Sequence, residues 1–293
     1  MTPLLFALPG NERLASILAP AIGAEIGKAE IRHFPDGETY WRYDTPVAGR
    51  EVALLCTLDR PDDKALPLLF AAAAARDLRA KRVGLIAPYL AYMRQDHRFQ
   101  PGEAITSGTF AGIVSGEIDW LVTVDPHLHR RSSLDEIYSV PARALHAAPL
   151  IAQWISDNVE APLLIGPDRE SEQWVAAVAR GADAPHIVLR KQRRGDREVE
   201  VAVPELAQWR GRTPVLVDDI ISTGQTMIET VKQLGSLRPP VCIGVHGVFA
   251  GNAFEALMQA GAARVVTTNT IAHRSNGIDI SGLLADGVRA LIG

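Results

Sequence analysis

Short apolar runs recur along this chain, and most are followed by a stretch whose apolar positions fall at helical spacing. Residues 4–8 form the first run, ended by Pro9-Gly10-Asn11, and Leu14, Ile17 and Leu18 then predict a helix. A polar-alternating stretch follows. In it His33-Phe34-Pro35-Asp36-Gly37-Glu38 leads into Tyr40-Trp41-Arg42-Tyr43, and Pro35 with Asp36-Gly37 marks a turn between two strands. Residues 51–57 predict a strand, 66–78 a helix, 82–88 a strand, 106–115 a helix and 120–124 a strand. Strands that alternate with helices argue for a parallel sheet covered on both faces.

Residues 141–149 read as a domain boundary, after which the scheme repeats. The pattern predicts a helix over 152–159, a strand over 163–166, a helix over 174–179 and a strand over 187–189. A basic loop over 191–197 and an alternating strand over 198–203 follow. The rest is a strand before Asp218, a helix carrying Met227, Ile228, Val231 and Leu234, a strand over 241–249, a helix over 253–258 and a strand over 264–268. Residues 121–125 are similar to 265–269, a faint sign of internal duplication.

With 293 residues the chain is long enough for two domains with substantial cores. Its 47% hydrophobic and 22% charged residues are those of a soluble globular protein. Net charge is −4, and no basic run is long enough to make nucleic acid the main partner. The two cysteines, Cys56 and Cys242, sit in apolar strand-like runs and read as small buried hydrophobes. No signal peptide or membrane span is evident, so the expected location is a reducing cytoplasm.

The chemistry centres on Val215-Leu216-Val217-Asp218-Asp219-Ile220-Ile221-Ser222-Thr223-Gly224-Gln225-Thr226-Met227. An apolar strand runs into two carboxylates, then a turn of hydroxyls and glycine, then a helix. Free N–H groups at a helix start attract phosphate, and a glycine lets the backbone come close. Ser222, Thr223 and Thr226 add donors. Asp218 and Asp219 lie too near a phosphate to bind it and suit sugar hydroxyls, directly or through a divalent cation. The stretch describes a site for a phosphorylated sugar. It is not a Walker loop, because no Gly-Lys-Ser/Thr follows the glycine.

Other polar residues follow predicted strands, where open α/β sheets bind ligands. His127 and Asp168 read as ligands for a divalent cation, or His127 as a structural histidine. A zinc site begun by His127-Leu128-His129 would need further His, Cys or carboxylate ligands, and the sequence offers no compelling set. Lys191 and Arg193 read either as a solvated basic loop or as a mobile cover that brings positive charge onto a polyphosphate. Phe34, Asp36 and Glu38 read either as a strand-end turn or, with Arg94 and Gln95, as a nucleotide site. In the second case Phe34 stacks, the carboxylates accept from the amino group, and Arg94 pairs with phosphate.

The stretch 215–227, here called the organising loop, resembles the phosphoribosyl-pyrophosphate loop of the type I phosphoribosyltransferase-like fold. The ordered set resembles the ribose-phosphate diphosphokinase family along nearly the whole chain. That set is Phe34-Pro35-Asp36-Gly37-Glu38, Pro88-Tyr89 with Tyr92 and Arg94-Gln95-Asp96, Thr123-Val124-Asp125 with His127, Pro167-Asp168, Lys191 with Arg193, the organising loop, and Phe249 with Gly251-Asn252-Ala253. Ala87-Pro88-Tyr89-Leu90-Ala91-Tyr92, with Phe99 and Pro101-Gly102-Glu103-Ala104-Ile105, is most similar to the family's archaeal type. The resemblance implies two similar α/β domains, each a mainly parallel sheet flanked by helices: 1–145 on the ATP side and 146–293 on the ribose 5-phosphate side. It implies transfer of a diphosphoryl group from ATP to ribose 5-phosphate, with magnesium. Ser222, Thr223, Gly224, Gln225 and Thr226 then hold the 5-phosphate, and Asp218 and Asp219 the ribose hydroxyls. His127 and Asp168 place the metal, and Lys191 and Arg193 stabilise the transferring group. Phe34, Asp36, Glu38, Arg94, Gln95 and Asp96 bind ATP, the first three donated by a neighbouring subunit, which implies a homo-oligomer.

Three positions depart from the family pattern. Arg169, Glu170 and Ser171 follow Pro167-Asp168 where small residues including glycine are usual; His97 replaces a lysine or arginine; Leu128 replaces a small or polar residue. Two competing readings are a phosphoribosyltransferase that consumes phosphoribosyl pyrophosphate and a catalytically silent partner of a true synthetase.

Overall fold

The computed structural model describes residues 1–292 except 168–170, 195–197, 203–205 and 236. It divides into two compact units, Met1–Leu145 with Ser281–Gly293, and His146–Ile280. The first unit runs β1 (Leu4–Ala7), α1 (Glu12–Ala21), β2 (Glu25–Ile26), β3 (Ala29–His33), β4 (Thr39–Tyr43), β5 (Glu51–Leu55), α2 (Pro61–Asp77), β6 (Arg82–Ala87), α3 (Thr106–Glu117), β7 (Trp120–Val124) and β8 (Ala142–Leu145). The second runs α4 (Ala148–Asn158), β9 (Pro162–Gly166), α5 (Glu172–Gly181), β10 (His186–Val188), β11 (Arg190–Arg194), β12 (Glu198–Ala202), β13 (Thr213–Ile221), α6 (Gln225–Gln233), β14 (Val241–Gly247), α7 (Ala253–Gln259), β15 (Arg264–Thr268) and β16 (Asn276–Ile278). The last helix, α8 (Ser281–Arg289), falls in the first unit.

The first unit's six-stranded sheet has the order β2-β1-β5-β6-β7-β8, and the second's has the order β10-β9-β13-β14-β15-β16. All ladder pairs in both are parallel. In each unit an antiparallel hairpin, β3–β4 or β11–β12, is inserted before the third strand of the chain's own sheet order. The two units therefore share one topology, and the similar stretches 121–125 and 265–269 begin on corresponding strands, β7 and β15.

Burial explains the strand pattern. Leu4, Leu5, Val52, Leu54, Val83, Leu85, Leu121 and Val122 are all fully buried, as are Leu163, Leu164, Leu216, Val217, Cys242 and Ile243 in the second unit. Parallel strands covered on both faces lose the in/out alternation and read as continuous apolar runs. Trp120 is fully buried beside its ladder partner Gly84. A Cβ on Gly84 would lie 1.8 Å from the indole, so the ring occupies the space that only a glycine leaves.

Several elements differ from the sequence expectation. Residues 191–194, expected as loop, pair as part of β11 with β12: Lys191 lies opposite Val201 and Arg193 opposite Val199. A run this basic carries no apolar alternation, so its strand character came only from its partner. Residues 195–197 and Val203 lie outside the described residues. α2 begins at Pro61, ahead of the expected 66, with a proline in the first turn followed by Asp62 and Asp63, which suit a helix start. The expected boundary at 141–149 contains the edge strand β8 and the start of α4. The short edge strands β2 and β16 and the helix α8 gave no pattern that sequence reading caught.

Residues 281–293 were expected with the second half, and here they pack in the first. Leu284 and Val288 are fully buried, α8 lies against α1, β7 and β8, and Arg289 donates to the Ala21 carbonyl at 2.6 Å. Arg82 donates to the Leu291 carbonyl at 3.0 Å. α4, which follows the first unit's last strand, packs instead on α5 and β16 of the second. Each unit thus takes one helix from the chain that follows the other unit's sheet.

Candidate functional site

In the second unit β13 carries Asp218 and Asp219 at its carboxyl end, both half-buried. The Asp219 N–H donates to the Asp218 carboxylate at 3.0 Å. The chain then turns through Ser222, Thr223 and Gly224 into α6. Gly224 has φ +68°, the left-handed region that favours glycine, and its missing Cβ would sit 3.4 Å from Leu257. A side chain there would meet both a strained backbone and a buried leucine. The first-turn N–H groups of α6 have no intrahelical carbonyl. The Ile221 carbonyl accepts from the Phe249 N–H at 2.9 Å and the Ser222 carbonyl from Ala250 at 3.0 Å, so the segment after β14 braces the turn. Phe249 holds φ +43° to do so. The Gln225 amide donates to Glu229 at 2.9 Å. Asp168 lies outside the described residues, as do the side chains of Lys191 and Arg193, whose backbone belongs to β11.

In the first unit the loops after β6 and β7 carry the corresponding candidates. Arg94 is exposed, Gln95 half-buried and Asp96 buried. Gln95 accepts from the Thr106 hydroxyl at 3.3 Å and, through its carbonyl, from the Ser107 N–H at 3.3 Å, which ties the loop to the start of α3. The Asp96 side chain is only 3% exposed and meets His97 Nδ1 at 2.8 Å and Arg130 at 3.4 Å. Burial opposes its ionisation, but the His97 hydrogen bond and the Arg130 charge outweigh it and hold the carboxyl below its ordinary range. Arg131 donates to the Asp96 carbonyl at 3.3 Å and to Ser107 at 3.4 Å. The β6 and β7 loops are therefore joined by Arg130 and Arg131, which sequence reading did not single out. Their partners lie 34 and 35 positions away, a pairing no local pattern reveals.

His127 is half-buried with φ +34°, and Asp125 beside it has φ +35°. The His127 N–H donates to the Asp125 carbonyl at 2.9 Å, and its ring centroid is 4.0 Å from that of His129. Tyr92, after β6, has φ +60° and bonds Asp62 through its hydroxyl. Non-glycine residues in this region carry strain that the surrounding structure must hold, and such strain concentrates at functional sites. Four of the seven among the described residues, Tyr92, Asp125, His127 and Phe249, stand after the carboxyl ends of sheet strands. Leu128, a departure from the family pattern, packs against the first unit's core.

Phe34, Asp36 and Glu38 form the tip of the β3–β4 hairpin. Phe34 is 40% exposed, its N–H donates to the Glu38 carbonyl at 2.8 Å, and the Glu38 N–H donates to Asp36 at 3.3 Å. The hairpin rests on α2 through Tyr43, whose hydroxyl donates to the Ala71 carbonyl at 2.7 Å. Burial pushes the Cys56 and Cys242 thiols up to about 12, which leaves both neutral and inert.

Comparison with known proteins covers both units. Residues 4–115 match the family model for the N-terminal domain of ribose phosphate pyrophosphokinase, and residues 133–280 match that for the phosphoribosyl transferase domain. The ribose-phosphate pyrophosphokinase of Sulfurisphaera tokodaii is 32% identical over 92% of this chain and 94% of its own. That of Saccharolobus solfataricus is 35% identical over 89% of each chain, and that of Methanopyrus kandleri 31% over 99% of this chain and 100% of its own. The crystal structure of phosphoribosylpyrophosphate synthetase from Mycobacterium smegmatis superposes with a TM-score of 0.88 at 25% identity, covering 100% of this chain and 99% of that one. With both family models matched in order and similarity sustained from end to end, the chain belongs to the ribose-phosphate pyrophosphokinase family.

Proposed function

We infer that this protein transfers the diphosphoryl group of ATP to the anomeric hydroxyl of ribose 5-phosphate, giving phosphoribosyl pyrophosphate and AMP. The observation that carries this is the match to both halves of the family in one chain, sustained over nearly its full length. A phosphoribosyltransferase that only consumes the product has no use for the first half.

The residues divide the work by their chemistry. On the second unit, the turn Ser222, Thr223, Gly224, Gln225 and Thr226 takes the 5-phosphate on hydroxyls and free amides, and Asp218 and Asp219 accept from the ribose hydroxyls. That fixes the sugar at two ends and presents the anomeric oxygen. On the first unit, Phe34 stacks on the base, Asp36 and Glu38 accept from its amino group, and Arg94 pairs with phosphate while Gln95 holds the segment in place. Asp96 supports that segment from beneath. Lys191 and Arg193 meet charge that spreads over the diphosphoryl group in transfer.

A divalent cation fits this donor set. His127, half-buried, would supply at most one imidazole nitrogen, which leaves most positions to phosphate oxygens and water, as magnesium prefers. His127 and Asp168 would hold it, and it would neutralise nucleotide phosphate charge. We further read the enzyme as a cytoplasmic homo-oligomer in which Phe34, Asp36 and Glu38 serve a neighbouring subunit's nucleotide. No described helix is long and apolar enough to cross a membrane.

The test is AMP release by the purified protein. It is expected to require ATP, ribose 5-phosphate and magnesium together, to stop with EDTA and to return with added magnesium. AMP formed without the sugar, or activity indifferent to EDTA, would overturn the reading.

A further inference from the structure

The outward face of the β3–β4 hairpin carries an arrangement that the nucleotide contacts above do not use. Ala29, Trp41 and Tyr43 turn inward onto the first unit's core. Strand alternation then puts Glu30, Arg32, Tyr40 and Arg42 on the outer face, with Phe34 continuing it at the tip. Arg32 and Tyr40 are direct cross-strand partners, as are Glu30 and Arg42. The Arg32 guanidinium carbon lies 4.1 Å from the Tyr40 ring centroid and 4.8 Å from that of Phe34. The two rings are 5.9 Å apart and perpendicular.

Arg32 is itself held. Its Nε donates to Glu30 at 3.2 Å, and Glu30 in turn meets Arg42 at 2.9 Å, which also meets Asp44 at 2.9 Å. Charges of alternating sign run along the face and end on two aromatic rings. An exposed arginine ordinarily samples many rotamers, and an exposed phenylalanine at a hairpin tip several. Here the guanidinium is fixed by one carboxylate and two rings, and it fixes the rings in return.

We propose that Arg32 and Tyr40 are positioning residues for the nucleobase. They hold the Phe34 ring with one face backed by the guanidinium, leaving the other to receive the base. The inference rests on the reading of Phe34 as the stacking residue. Its physical content is preorganisation: the ring is ordered before ATP arrives, so binding does not have to order it. The cation also draws π density toward itself, which favours stacking of an electron-rich base on the opposite face.

The test uses the full-length protein and steady-state AMP formation, with ATP binding measured separately by calorimetry. Arg32→Ala and Tyr40→Ala are each expected to raise the KM and Kd for ATP about three- to fivefold, the scale of an exposed cation–π contact. The KM for ribose 5-phosphate and the turnover number should stay within about twofold, since the contact acts on binding alone. Arg32→Lys and Tyr40→Phe should recover most of the loss, because they keep the cation and the ring. If Phe34→Ala weakens ATP binding while Arg32→Ala and Tyr40→Ala do not, the positioning role is overturned and the stacking reading survives. If Phe34→Ala has no effect on ATP, the stacking reading falls and the positioning role with it. Equal loss in both substrates' KM and in turnover would mean a general structural role, which also overturns the proposal.

Discussion

The Asp96 carboxylate is nearly closed off from solvent and stays ionised because His97 and Arg130 both bring hydrogen-bond donors to it. Its folded pKa lies below the ordinary value, so it stabilises the fold above that value, and the contribution is lost as pH falls through the folded pKa. Asp96→Asn should therefore cost roughly 1–2 kcal/mol at neutral pH, the scale of lost charge-assisted hydrogen bonds. The gap in Tm between wild type and variant should close as the pH is lowered below about 4. A gap unchanged at pH 3 in a melting series would mean the carboxylate does not act through its charge. Lys191→Ala addresses the transfer step. If Lys191 meets charge that develops only in the transition state, its loss should lower turnover on the order of a hundredfold with little change in KM, and near-normal turnover at saturating substrates would remove it from the mechanism. At this scale the proposed phosphate loop stands out in the sequence because its carboxylates, hydroxyls and glycine are contiguous. Arg32, Arg130 and Arg131 were not, because what makes each matter is a partner on another strand or loop.

Among the elements, α8 shows how far sequence distance and packing can part. It follows the second sheet and completes the first unit, where Leu284 and Val288 are fully buried. Leu284→Ala should cost about 2–4 kcal/mol by opening a cavity in the first unit, read as a lower urea midpoint for that unit's unfolding. A change under about 0.5 kcal/mol, the range of ordinary surface substitutions, would mean that α8 is dispensable to the core. The major strands and helices could be read from apolar runs and helical spacing, because parallel strands covered on both faces are continuous hydrophobic segments. β11 could not, since four of its five residues are charged and only its pairing with β12 makes it a strand. The edge strands β2, β8 and β16 are short and partly exposed, so burial imposed little pattern on them.

For the whole molecule, the duplication was faint in sequence and is plain in topology, since the same strand order and the same inserted hairpin occur twice. Order within a sheet is fixed by long-range packing, which local spacing does not record. On the proposed assignment the halves differ in role: one carries the hydroxyl and glycine loop after β13, while the corresponding turn after β5 leads into α2 with Asp62 and Asp63 in its first turn, which disfavours phosphate. If the hairpin tip serves a neighbouring subunit, Phe34→Ala and Asp219→Ala lie in different composite sites. Mixed oligomers of the two should then regain activity that neither variant has alone, and no recovery in demonstrably mixed oligomers would place each site within one chain. Whether the diphosphoryl group moves in one piece is tested most directly by ATP labelled at the β-phosphorus, incubated with ribose 5-phosphate, magnesium and the purified protein. The label should leave with phosphoribosyl pyrophosphate, in equal amount with unlabelled AMP; label retained in ADP, or in unreacted ATP, would contradict diphosphoryl transfer by this protein.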